Sequence, residues 1–148
     1  MKQAAAVERV DVQALCRLRL GEAHTLAGRL EEAHALAELA LALARKRQQR
    51  GHEAYAPRLL GEIAAQREPP EAEPVESYYR QALALAKELG MRPLVAHSHL
   101  GLGTLYRQTG RGEEARAALS TAIELYHAMG MTFWLPRAEA AAAQVEVR

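Results

Sequence analysis

The stretch from Ala96 to Met129, AHSHLGLGTLYRQTGRGEEARAALSTAIELYHAM, decides the fold. It reads as two amphipathic helices around a glycine-rich turn at Gly110-Arg111-Gly112. Apolar residues recur at helical spacing on either side, with Leu102 and Tyr106 before the turn and Ala115, Leu119 and Ala122 after it. Gly103 falls in the middle of the first helix. Glycine there costs about 1 kcal/mol relative to alanine, so it persists where a neighbouring helix must come close.

Moving outward, the same pattern occurs twice more. Ala14 to Arg47 carries Leu20, Gly21 and His24, a turn at Gly28, then Ala33, Ala37 and Ala40. Ala54 to Gly90 carries Leu60, Gly61 and Ala64, then Val75, Tyr79 and Ala82. Gly21, Gly61 and Gly103 are 40 and 42 residues apart, and a second series, Gly51, Gly90 and Gly130, is spaced by 39 and 40. The second series is expected to close each helix pair from the left-handed cap position. Pro57, Pro93 and Pro136 follow those glycines by a few residues, as prolines in first helical turns do. Two glycine series with one period predict an array of helix pairs.

Composition agrees. Of 148 residues, 31 are Ala and 21 Leu, with two Ile and one Phe, which excludes an all-β domain and argues against a βαβ core. The 19 basic and 18 acidic residues give no overall field for nucleic acid, acidic substrates or a membrane surface. A single cysteine, Cys16, excludes an internal disulfide and a multi-cysteine metal site. Set among Leu15, Leu18 and Leu20, it is expected to be a small core residue. Met1 to Val10 has no apolar stretch of a signal peptide, and no window approaches 18 uncharged apolar residues. The expectation is a soluble, cytoplasmic protein.

The Leu-Gly…Tyr…Ala…Leu…Ala signature at Leu102, Gly103, Tyr106, Ala115, Leu119 and Ala122 resembles the tetratricopeptide repeat, or TPR. The early aromatic position of that signature holds His99. The first repeat departs from it at Arg17, His24 and Ala37, and the second at Ala64 and Val75. The resemblance implies an all-α fold, a right-handed α-solenoid of about three helix pairs plus a C-terminal capping helix. The stretch GMRPLVAHSHLGLGTLYRQTGRGEEARAAL, with the later GMTFWL and RLLGEIAAQREPP, is also similar to the C-terminal TPR arrays of bacterial signalling proteins that carry cyclase and STAND-type ATPase modules.

The expected organisation is one domain over 1–148, with repeats at about 12–50, 53–89 and 92–129 and a cap at about 132–147. Helices are expected near 9–27, 30–49, 53–67, 73–89, 92–109 and 112–129, and the cap near 132–147. Arg67 to Pro74, with three prolines and three glutamates, reads as a solvated linker.

Candidate chemistry is sparse. His97 and His99 are two residues apart and point away from each other on a helix, so they cannot share a metal. Glu31-Glu32 and Glu113-Glu114 suit the positive ends of helix macrodipoles rather than acid–base catalysis. Gly101-Leu102-Gly103 lacks the Lys-Ser/Thr of a phosphate loop. Arg45-Lys46-Arg47 with Arg50 reads as a basic helix end, without the interleaved aromatics of a nucleic-acid surface. Phe133-Trp134 reads as the anchor of the cap, or as an exposed aromatic hot spot.

The expected work is therefore non-catalytic binding, with no cofactor and no metal. In TPR arrays the first helices of the pairs line a concave groove that holds a peptide or helix. Carried over by register with the Leu-Gly pairs, the partner-binding positions are Leu18, Glu22 and Thr25, then Tyr55, Arg58, Glu62 and Gln66, then His97, Leu100, Thr104, Arg107 and Gln108. Glu22 and Glu62 sit where carboxylate-clamping TPR modules carry Asn and Lys, which argues against a carboxylate ligand. The partner is expected to be a protein or peptide, in a regulatory or scaffolding role, with no nucleic acid and no membrane. The alternatives are a self-associating structural module, as a homodimer, and a peptide or small-molecule sensor.

Overall fold

The computed structural model describes residues 2–67 and 71–146. It is all-α among those residues: α1 Lys2–Leu26, α2 Leu30–Lys46, α3 Arg50–Gln66, α4 Ala72–Leu89, α5 Arg92–Gln108, α6 Gly112–Met129 and α7 Leu135–Glu146. Helices pack in consecutive pairs, α1 with α2, α3 with α4 and α5 with α6. The helices α1, α3, α5 and α7 also touch in succession and form an inner layer, with α2, α4 and α6 outside it. This is a TPR-like α-solenoid.

Small residues set the spacing of the layers. Ala14, Ala54, Ala96 and Ala138 are buried, one on each inner helix, at intervals of 40, 42 and 42 residues. By that register α7 occupies the place of the first helix of a fourth pair, and Val145 lies where the earlier helices put Gly21, Gly61 and Gly103. A Cβ on Gly103 would stand 2.5 Å from Leu119 Cγ. The tightest glycine is Gly101: a Cβ there would stand 2.4 Å from the Tyr79 ring, and a Cβ on Gly61 of α3 would stand 3.1 Å from the same ring. Tyr79 is thus an aromatic wedge held between two glycines of adjacent inner helices.

The expected linker is shorter than the sequence reading has it. Ala72–Pro74 form the first turn of α4, where proline needs no amide partner, and 68–70 lie outside the described residues. The second helix stops at Lys46 rather than near 49. Pro93 and Pro136 do sit in first turns. Pro57 does not: α3 begins at Arg50, so Pro57 lies two turns in, where the Glu53 carbonyl has no amide to accept from.

The glycine closures need one correction. Gly90 and Gly130 hold left-handed cap positions with φ of 70° and 66°. Gly51 lies inside the first turn of α3, and the left-handed residue after α2 is Gln48, with φ of 57°. The closing bond is the same at both kinds of site: Met91 N donates to Ala86 O at 2.8 Å, and Gln49 N donates to Ala44 O at 2.8 Å. The loop geometry is therefore kept while the residue is wrong for it. A non-glycine in this region costs roughly 1–2 kcal/mol, partly offset because glycine is looser when unfolded. Gln48→Gly is expected to stabilise the chain by about 0.5–1 kcal/mol, read as a higher denaturation midpoint. A lower midpoint would show that the side chain contributes more than its backbone strain.

A polar knot fastens α4 to the pair α5–α6. The Glu76 carboxylate accepts from the Tyr106 hydroxyl at 2.9 Å, Arg80 Nε at 2.9 Å and Arg111 Nη1 at 3.1 Å. Burial pushes this carboxyl up, but the three donors together hold it below its ordinary range. Arg111 also stacks over Tyr106, with its guanidinium carbon 4.3 Å from the ring centroid.

Candidate functional site

Along the inner layer run two adjoining concavities of about 500 and 520 Å³. They share Glu22, Arg58, Glu62, His97 and Trp134, so they form one groove. It starts at Leu15 and Leu18 of α1, crosses α3 at Tyr55, Arg58 and Glu62, and ends on α5 and α7 at Thr104, Gln108 and Arg137. The lining falls at helical spacing because α1, α3 and α5 present the same face at the same register.

Of the residues placed here by sequence register, all but Arg107 line the groove. They are not equally available. Leu18 is buried and packs with Leu59 and Leu60 in the core. Thr25 is buried and donates its hydroxyl to Gly21 O at 2.7 Å. Thr104 donates to Leu100 O at 2.9 Å. Arg58 is tied to Glu62 through a 3.0 Å ion pair and lies 5.6 Å from the centroid of the Trp134 ring. Among these positions Tyr55, Gln66 and Gln108 are exposed, and Arg19, Leu26, Ala65 and Arg137 add exposed lining that register did not place. Arg107 lies outside both concavities, half-buried, and its Nε has no hydrogen-bond partner among the described residues.

The electrostatics are those of a partly dried floor. Burial pushes the Glu62 carboxyl above its ordinary range, the Glu22 carboxylate adds to that, and Arg58 opposes both. Burial and the nearby Arg58 charge take the His97 imidazole down to about 3. It is neutral at ordinary pH, with Nδ1 sharing a 2.6 Å hydrogen bond with the Tyr126 hydroxyl. The floor thus offers charges already paired and an imidazole already engaged.

Trp134 is the residue that register missed. It anchors the cap, as one of the two sequence readings has it: its ring stacks on Tyr126 of α6, centroids 6.2 Å apart, and meets His97 at 4.5 Å. It also faces both concavities. Register with the Leu-Gly pairs could not find it, since no such pair exists in the cap; the alanine spacing ending at Ala138 could have. Phe133 is exposed, with Arg137 4.4 Å from its ring centroid. Cys16 is exposed and not the core residue expected, because it lies on the side of α1 that no described helix covers. Among the described residues, no group of three or more His, Cys, Asp or Glu is placed to share a metal ion. No helix among them is long and apolar enough to cross a membrane.

This geometry agrees with a comparison against known protein families. The family model for the tetratricopeptide repeat matches residues 96–132, which cover most of α5, all of α6 and the turn after it. No curated protein matches the chain. The helical array is thus TPR-like, and TPR repeats generally mediate protein–protein interaction.

Proposed function

We propose that the groove along α1, α3 and α5, with Trp134 at the junction of its two halves, binds an extended or helical segment of a protein partner, without catalysis. The observation that carries this is the continuity of the groove. One face of three successive inner helices is recessed and lined by hydrogen-bonding side chains over apolar walls, as a segment running across the helices requires. The similarity to arrays in bacterial signalling proteins favours a regulatory or scaffolding role in the cytoplasm. The paired Glu22 and Glu62 on the floor suit a partner with polar or basic side chains better than one presenting a carboxylate.

Arg58 is a poor site for a test, because reversing its charge beside Glu62 disturbs the scaffold as well as the groove. Tyr55, Gln66 and Gln108 are better. Their joint replacement by alanine should change stability by less than about 1.5 kcal/mol, since each is exposed. Affinity capture from a lysate of the source organism is expected to lose, with this variant, a protein that the wild type retains. Equal recovery by both would overturn the groove assignment.

A further inference from the structure

Helix α2 carries a large exposed apolar residue, Leu39, where both of its sister helices carry a polar one. Ala33, Ala37, Ala40 and Ala44 are buried against the rest of the array. The flank beside this buried face carries Ala35, Leu39 and Ala42 exposed, with Leu39 44% exposed, bordered by half-buried Leu36 and Leu43. None of these lines the groove. Stepping on by 42 and 82 residues, which carries buried Ala37 onto Tyr79 and Leu119, puts Gln81 and Thr121 where α2 has Leu39. A solvated outer helix takes a polar residue at this position, and α2 does not. On the neighbouring helix α1, Leu20 is 51% exposed, although its counterparts Leu60 and Leu102 are buried.

We infer that a second copy of this chain covers this face, with α2 lying antiparallel on its mate about a two-fold axis at Leu39. The face is complementary to itself in that arrangement. Each residue meets the one equally far on the other side of Leu39: Leu36 meets Ala42, Ala35 meets Leu43, and Glu32 meets Lys46. Large side chains fall on small ones, and acid falls on base, each contact occurring twice. Among the described residues, Glu32 and Lys46 take part in no ion pair within the chain, whereas neighbouring Glu31 is held by Arg67 and Arg45 by Glu53. A helix of 17 residues is only about 25 Å long, so the contact is small and the dimer reversible. The groove lies on the inner helices and stays open in this dimer, so the inference stands apart from the groove reading.

Sedimentation equilibrium of the full chain tests this, under reducing conditions so that exposed Cys16 adds no covalent dimer. Loading from about 1 to 500 μM spans the range of such contacts. The mean mass is expected to rise with concentration from 16.3 kDa towards twice that value. Leu39→Gln, which copies the residue of the sister helix, should weaken association at least about tenfold with helicity unchanged. Lys46→Glu and Glu32→Lys should each weaken it about three- to tenfold, and the double swap should restore it. A monomer at every concentration would overturn the proposal. So would a dimer indifferent to Leu39→Gln, which would use another face, or a double swap no better than the singles, which would refute the register.

Discussion

Gly103→Leu is expected to lower the melting temperature by roughly 5–10 °C, corresponding to a loss of about 2–3 kcal/mol. Gly103 of α5 lies directly against Leu119 of α6. A Cβ would stand 2.5 Å from Leu119 Cγ and 3.4 Å from the Leu119 backbone nitrogen, so moving the Leu119 side chain relieves only part of the clash. The remainder must separate the helices, and the buried groups between them, Leu102, Tyr106 and Ala115, lose contact in turn. Gly103→Ala separates close approach from propensity. Alanine favours a helix by about 1 kcal/mol, so the clash equals the loss of stability in that variant plus about 1 kcal/mol. An unchanged melting temperature for the leucine variant would remove close packing as the reason for this glycine.

The second large effect belongs to Tyr79. Its ring lies on α4 between Gly61 and Gly101, it is buried, and it forms part of the groove floor. Burial also pushes its phenol well above the ordinary range, so the hydroxyl stays protonated. Tyr79→Ala should cost about 3–5 kcal/mol, among the largest losses available to one substitution in a domain of this size. The glycine beside it gives the sharper check. In the wild type Gly101→Ala drives a Cβ to within 2.4 Å of the ring and should destabilise. In the Tyr79→Ala background the space is open, and the same change should be neutral or stabilising by up to about 1 kcal/mol. Additive losses would contradict the wedge. Because repeat arrays can lose cooperativity, both experiments are best read from transitions followed by two independent probes.

The helices were legible because periodicity and punctuation agree in this sequence. The mid-helix series Gly21, Gly61 and Gly103 marks three inner helices, and the helix pairs fall where that spacing puts them. Punctuation misled where one residue type serves two purposes. Gly51 has the spacing of a cap but sits inside α3, and Gln48 carries the left-handed conformation that glycine would have announced. Pro57 looked like a first-turn proline because α3 starts three residues earlier than its sequence suggests. Burial was harder to read at the open side of the first pair. Cys16 and Leu20 occupy positions that would be buried beneath a preceding helix, and none of the described helices lies there. The groove positions were mostly legible, since one register fixes one face on every inner helix. Trp134 was not, because it enters from the cap, whose relation to the inner helices shows only in the buried alanine series ending at Ala138.

The most direct test of the groove is site-specific photocrosslinking. A photoreactive phenylalanine analogue would replace Tyr55 within the groove in one sample, and exposed Ser120 on the outer helix α6 in another. Both proteins would be irradiated in lysate of the source organism after their helicity is matched. A discrete adduct from position 55, competed away by excess unlabelled protein and missing from position 120, is the predicted result. Adducts from position 120 alone, or equally from both positions, would contradict a binding groove on the inner layer.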